Sequence, residues 1–345
     1  MAAETHMQAF GTRPMDAEHA LESFTIPRPT LQTDTDILVK VDSVSINPVD
    51  LKVRDGAFSD PPTPQSPPKI LGWDAAGVVV DVGSAVTRFK KGDQVFYAGA
   101  INRSGSYAQY HVVDSRIVGH APTSIGLGVA ASFPLVSLTA YEGIFEAARI
   151  SKTEKQTGKT FLVVGGAGGV GSMAIQVAKY AGYTVIATAS RAETIKFVQD
   201  LGADHTVNHR SPLAPQLAKL GFKNVDAVFN TQSASEYYDV LIDILKPFGS
   251  LITIDVVTAS VEITKAVFKS INVVTELMFT RSLYDHEPEV QGEILDKVAE
   301  LIDAGIFKPM LKKTDVLDLT LENLRKAHEL VKKGSAIGKI ALQFK

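Results

Sequence analysis

Residues 161–171, FLVVGGAGGVG, constrain the fold more than any other stretch of the chain. An apolar run of β type passes directly into a cluster of glycines, followed by the helical pattern SMAIQVAKYAG and a second apolar run, TVIATA. The spacing Gly166-Ala167-Gly168-Gly169-Val170-Gly171 is GxGxxG. In a dinucleotide site Gly166 permits the tight turn, Gly168 lets backbone approach a pyrophosphate, and Gly171 allows the helix to pack closely on the strand. Gly169 and Val170 then sit at the helix N-terminus, where backbone N–H groups and the helix dipole favour phosphate. Strand, glycines, helix and strand within about 30 residues separate such a motif from an ordinary glycine-rich turn. A doubly wound parallel sheet that holds a dinucleotide is therefore expected.

The chain has 345 residues, enough for two domains, and its 45% hydrophobic and 21% charged composition is that of an ordinary globular protein. A net charge of -3 gives no general attraction to nucleic acid or anionic lipid. The first residues, MAAETHMQAFGTRP, have neither a basic nor an apolar leader segment, and Met7 is an alternative start. The uncharged stretch 121–141 carries too many prolines, glycines and polar residues for a membrane span. These features imply a cytoplasmic protein with no nucleic-acid or membrane partner. Cysteine is absent, which removes disulfides, thiolate nucleophiles and cysteine-ligated metals. His205 and His209 are close in sequence, but the intervening TVN is extended in pattern and scatters the two rings.

Before the glycine motif, residues 35–46 alternate apolar and polar, as do the stretches 76–82, 93–97 and 107–113, with glycines between them. That pattern predicts a mostly β, barrel-like domain. DPPTPQSPPK, residues 60–69, reads as an extended connector. From Phe161 onward FLVVGG, TVIATA, HTVN, AVFNT, SLITID and NVVTELMFT alternate with helical patterns, the signature of an α/β doubly wound sheet. Residues 289–305 and the stretch LENLRKAHELVKK predict amphipathic helices, and IALQF a final strand that joins the N-terminal sheet. The expected domains are 134–281 for the nucleotide fold, and 1–133 with 282–345 for a discontinuous catalytic domain.

These motifs resemble the medium-chain dehydrogenase/reductase superfamily, specifically its zinc-independent quinone oxidoreductase branch, often labelled zinc-type alcohol dehydrogenase-like. The resemblance spans nearly the whole chain. It rests on Asn47-Pro48-Val49-Asp50 with Lys52 and Arg54, Gly72-Trp73-Asp74-Ala75-Ala76-Gly77, Leu138-Thr139-Ala140-Tyr141, the glycine motif, Thr188-Ala189-Ser190-Arg191, Glu276-Leu277-Met278-Phe279-Thr280-Arg281-Ser282 and Gly338-Lys339-Ile340. It implies a Rossmann domain plus a GroES-like barrel. In zinc-containing relatives the metal ligands fall, by motif position, at Asn47, at Trp73 and Asp74, and at Leu135. Of these only Asp74 is a plausible ligand, so no catalytic metal is expected. Without a Lewis acid, acceptors that take hydride readily are favoured, namely quinones and activated alkenes.

By the same resemblance Asn47 and the Trp73 indole N–H are the expected catalytic donors to a developing anion. Thr139 and the backbone around Ile254–Val257 are expected beside the nicotinamide, and Phe279 as a pocket wall, with Phe58 and Tyr97 as further lining. Where an NAD-specific site has an acid this chain has Ala189, followed by Ser190 and Arg191, which suit a 2′-phosphate; His209 and Arg210 are candidates for the adenine side. NADP(H) is thus the expected cofactor. INVVTELMFT resembles a strand that pairs across a two-fold axis, implying a homodimer. The functional expectation is an NADPH-dependent reductase of quinones or α,β-unsaturated carbonyls, with proton delivery from water. The alternatives are alcohol or aldehyde dehydrogenase chemistry, or a non-catalytic NADPH-binding protein.

Overall fold

A computed structural model of the chain describes residues 5–13, 21–57, 68–255, 258–311 and 315–345. The chain divides into two units, Met1–Leu135 with Phe279–Lys345, and Val136–Met278. The expected boundaries at 133/134 and 281/282 lie two and three residues from these.

The first unit begins with strands β1 (His6–Thr12), β2 (Glu22–Pro27), β3 (Asp36–Ser45), β4 (Lys69–Ile70), β5 (Ala75–Val82), β6 (Gln94–Tyr97), β7 (Tyr110–Asp114) and β8 (Gly119–His120). Alternation in residues 35–46 becomes β3, the long central strand, which pairs with β5 on one side and with β7 along the other. Apolar Ile37, Val39 and Val41 are buried along it. Tyr107 lies outside the strand expected over 107–113, which begins only at Tyr110. A small sheet, β2-β1-β4, was not anticipated from the N-terminal sequence.

The second unit contributes β9 (Thr160–Val164), β10 (Thr184–Thr188), β11 (His205–Val207), β12 (Val225–Asn230), β13 (Leu245–Thr253) and β14 (Asn272–Thr275). All five neighbouring pairs are parallel, in the order β11-β10-β9-β12-β13-β14. This is the doubly wound order in which the chain reverses direction between its first and fourth strands, the crevice where such sheets bind ligands. The strands are apolar because both sheet faces are covered: Leu162, Val164, Ile186, Val228 and Leu251 form one core with Leu241 and Ile242 of the helix Ala234–Ile244. Edge strand β14 is shorter than the expected NVVTELMFT. Pairing stops at Thr275, and Phe279 instead precedes a short helix, Thr280–Tyr284.

The chain then returns to the first unit. The amphipathic helix Glu289–Asp303 is followed by β15 (Val316–Asp318), the helix Leu321–Lys332 and β16 (Ala341–Gln343). The last strand pairs antiparallel with β3, so the C-terminus completes the N-terminal sheet. Among the described residues no helix is long and apolar enough to cross a membrane.

Candidate active site

In the second unit β9 ends at Val164, and the turn that follows is made by Gly165, whose φ of 78° only glycine adopts readily. The tight-turn role expected of Gly166 thus belongs one residue earlier. Gly166 is glycine for space, because a Cβ there would stand 3.0 Å from that of Ala187. Gly171 packs against the turn itself rather than the strand: its Cβ would lie 2.2 Å from the Gly165 carbonyl oxygen. The Gly165 N–H donates to Thr188 Oγ1 at 2.9 Å, tying the turn to β10.

Gly168 differs from its neighbours. It is exposed, has an ordinary extended φ of -80°, and a Cβ would meet nothing nearer than 3.5 Å. Sterics within the protein do not require glycine here, so the vacant space is open to a ligand. Gly168 caps the helix Gly169–Tyr180, whose first turn, Gly169, Val170 and Gly171, directs backbone N–H groups without helical acceptors toward that space. At the end of β10, Ser190 is half-buried and Arg191 exposed, with Arg191 Nε donating to Glu193 Oε1 at 2.9 Å. Partial burial, together with repulsion from Arg210 and Arg191, holds the His209 imidazole below its usual pKa. The positive charge near this imidazole thus comes from Arg191 and Arg210. Thr139 is buried in the helix Pro134–Tyr141, and Ile254 is half-buried just beyond β13.

In the barrel unit the three positions singled out by motif converge on one carboxylate. Asp74, fully buried, accepts from the backbone N–H of Leu135 at 2.8 Å through Oδ1. Its Oδ2 accepts from Ser45 Oγ at 2.7 Å, Asn47 Nδ2 at 2.8 Å and Lys339 Nζ at 3.0 Å. Lys339 Nζ also donates to Asn47 Oδ1 at 2.6 Å and to the Ile46 carbonyl at 3.1 Å. The second Asn47 amide proton reaches the Trp73 carbonyl at 3.3 Å, and the Asn47 backbone N–H donates to Asp50 Oδ2 at 2.7 Å.

In this geometry the side-chain donors of Asn47 and Trp73, expected to face a developing anion, have partners within the protein. The Asn47 amide is spent on Asp74, Lys339 and backbone, while the Trp73 indole N–H donates to the Ala100 carbonyl at 3.2 Å. Both side chains are 1% exposed, and buried polar groups must find partners inside the protein. Phe279 packs edge-on against Trp73, with centroids 6.4 Å apart and planes at 81°. Tyr97 is fully buried, its hydroxyl 3.1 Å from His111 Nδ1. Phe58 and residues 256 and 257 lie outside the described residues, as does most of the proline-rich connector.

Sequence reasoning missed Lys339, Ser45, Tyr107 and His328. The Tyr107 hydroxyl donates to Asp50 Oδ2 at 2.6 Å and lies 3.4 Å from His328 Nε2. Burial pushes the Asp50 carboxyl up to about 7 despite that bond, and depresses His328 to about 3. A signal was present in the sequence: Asp74 and Lys339 are lone charges within apolar stretches, LGWDAAG and IGKIAL. Such charges are buried only when paired.

Residues 33–132 match the alcohol dehydrogenase GroES-like domain, and residues 169–295 match the zinc-binding dehydrogenase family. The chain is 40% identical over 321 residues, 92% of its length and 93% of the relative's, to a zinc-type alcohol dehydrogenase-like protein of Staphylococcus aureus. It belongs to the medium-chain dehydrogenase/reductase superfamily. Like other members, this medium-chain oxidoreductase joins a GroES-like domain to a Rossmann-type parallel sheet. It is 33% identical over 283 residues, 80% of the chain and 64% of the relative, to an NADPH-dependent alkenal/one oxidoreductase of Arabidopsis thaliana chloroplasts. A quinone oxidoreductase of Escherichia coli, solved with NADPH, superimposes with a TM-score of 0.81 at 25% identity, covering 97% of this chain and 99% of that one.

Proposed function

We propose that this oxidoreductase uses NADPH to reduce a quinone or an α,β-unsaturated carbonyl, without a catalytic zinc ion. The observation that carries the reading is the state of Asp74. A catalytic zinc site needs about three protein ligands and an open position. Here both Asp74 oxygens already accept hydrogen bonds, Leu135 offers only an aliphatic side chain, and an ammonium stands against Asn47 and Asp74. The donor set does not fit a zinc ion.

A dinucleotide does fit the other unit. The open space at Gly168 and the amides of Gly169, Val170 and Gly171 suit a pyrophosphate, with Gly165 making the turn and Gly166 and Gly171 leaving room for its close packing. Ser190, Arg191 and His209 suit a 2′-phosphate, with the charge supplied by Arg191 beside Arg210 and hydrogen bonds by the hydroxyl and the imidazole. Thr139 and Ile254 are assigned to the nicotinamide end, and the Trp73–Phe279 pair to the acceptor. The reduced nicotinamide supplies hydride when bound. The chain's part is to position the reactants and exclude water, while solvent returns the proton. The alkenal/one and quinone activities named for the Arabidopsis and Escherichia coli proteins support this substrate class.

One observation favours a second reading, a non-catalytic NADPH-binding protein: the side-chain donors of Asn47 and Trp73 are already occupied. Oxidation of NADPH and NADH by metal-free protein, followed by absorbance against quinones, enones and aldehydes, separates the two. Turnover of a quinone or enone supports the reductase. Tight NADPH binding with no turnover supports the second reading, and turnover restored only by zinc overturns the metal-free assignment.

A homodimer is proposed to form through β14. This strand is a sheet edge, and Val273 on it and the nearby Leu277, Val267 and Phe268 are exposed, the last at 86%. Sedimentation of wild type and a Val273→Lys variant tests it: a dimer that dissociates in the variant is expected, and a monomeric wild type would overturn it.

A further inference from the structure

We infer that Lys339 is a built-in cation that fills an oxygen cage and holds the place a metal would need. The inference deepens the metal-free part of the proposed function and rests on it. Three oxygens surround Nζ: Asn47 Oδ1 at 2.6 Å, Asp74 Oδ2 at 3.0 Å and the Ile46 carbonyl at 3.1 Å. An ammonium has three protons, and each has an acceptor. The arrangement is buried, with Lys339 and Asp74 side chains 3% and 0% exposed.

The position of the ammonium is fixed by the backbone that carries it. Lys339 N–H donates to the Met310 carbonyl at 3.2 Å, and on the next residue the Ile340 carbonyl accepts from Ile46 N–H at 3.0 Å. The segment is thus clamped on both sides, immediately before β16. The lysine stem reaches the cage from 265 residues away in sequence from Asp74 and 293 from Ile46. A divalent ion would have to displace an ammonium that neutralises the single carboxylate in the cage. Unlike a metal, the ammonium has no vacant coordination position to offer a substrate. Lys339 is therefore a positioning residue: it orients Asn47 and Asp74, and through Asp74 the Leu135 backbone and Ser45.

The test uses the full chain purified without chelator. Wild type is expected to hold well below one zinc per chain, with a melting temperature unmoved by zinc or by chelator. Lys339→Ala opens the cage, and its melting temperature is expected to rise by several degrees on adding ethylammonium or propylammonium, whereas wild type and Lys339→Met, whose stem refills the space, do not respond. If Lys339→Ala does not fold, the paired change Asp74→Asn with Lys339→Met serves instead. Removing both charges is expected to give a more stable protein than either single change. A metal-free wild type in which amine gives no response and the paired change shows no coupling overturns the role of Lys339 alone. One zinc per chain in wild type, lost in Asp74→Asn, overturns the metal-free reading as well.

Discussion

The glycine turn after β9 and the Asp74 cluster of the barrel unit solve opposite problems. The turn leaves polar backbone exposed and removes side chains: Gly168 keeps a volume vacant although no neighbour demands it. The Asp74 cluster does the reverse, burying a carboxylate, an amide, a hydroxyl and an ammonium and satisfying them against one another. Unspent hydrogen-bonding capacity marks a place prepared for a ligand, whereas a closed network marks a place prepared to hold the protein in one arrangement.

The comparison breaks most readily at Asp74. Asp74→Ala would leave the Lys339 ammonium buried without its counter-charge, and a loss of about 3 to 5 kcal/mol is expected in denaturant unfolding. A loss below about 1 kcal/mol would show that the cluster is not closed in the sense argued, since that is the scale of an exposed pair. Titration with acid gives the next effect. The folded pKa of His111 is lowered to about 4 and that of His328 to about 3, both first by burial. Between those values and the unfolded value near 6.5, the unfolded chain binds more protons, so stability falls as pH falls. Lowering pH from 7 to 5 is expected to cost about 2 kcal/mol per histidine. Asp50 acts in the opposite direction: with its folded pKa raised to about 7, its protonation over the same interval favours the folded chain. His111→Gln should therefore lose less stability than wild type over that interval. An unchanged pH slope would refute the assignment of a buried neutral imidazole.

The open side is sharpened by a pair of alanines. Gly171→Ala drives a Cβ into the Gly165 carbonyl and is expected to destabilise by about 1 to 3 kcal/mol. Gly168→Ala meets no such contact and should stay within about 1 kcal/mol of wild type in thermal unfolding. Its NADPH affinity, read by fluorescence titration, should nonetheless drop at least tenfold. Retained affinity in Gly168→Ala would remove the reason given for that glycine. The smallest effect is expected at Arg191, half exposed and shared with Glu193. Arg191→Ala should weaken NADPH relative to NADH by about 1 to 2 kcal/mol, the scale of one charge-assisted bond; equal losses would take the 2′-phosphate away from it.

Much of this was legible in the order of residues. The alternating and continuous apolar runs marked most strands of the two larger sheets, and GxGxxG after an apolar run located the glycine turn, because strand, turn and helix are neighbours in the chain. Even there the individual roles shifted. Which glycine takes positive φ depends on where β9 stops pairing, and that placed the left-handed residue at Gly165. The end of β14 is hidden for a similar reason, since nothing local in NVVTELMFT says that pairing with β13 stops at Thr275.

Asn47 and Trp73 show where local reading ends: motif position marks them as donors, while their hydrogen-bond partners, Asp74 and the Ala100 carbonyl, are supplied only by folding. What the sequence determined by itself, namely the α/β class, the glycine turn after an apolar strand and the missing thiolate ligands, rests on interactions between near neighbours or on composition. The tertiary structure alone decided which polar groups remain free. That question is settled by contacts such as Lys339 with Asp74, formed across 265 residues because no buried charge is stable until its partner is brought to it.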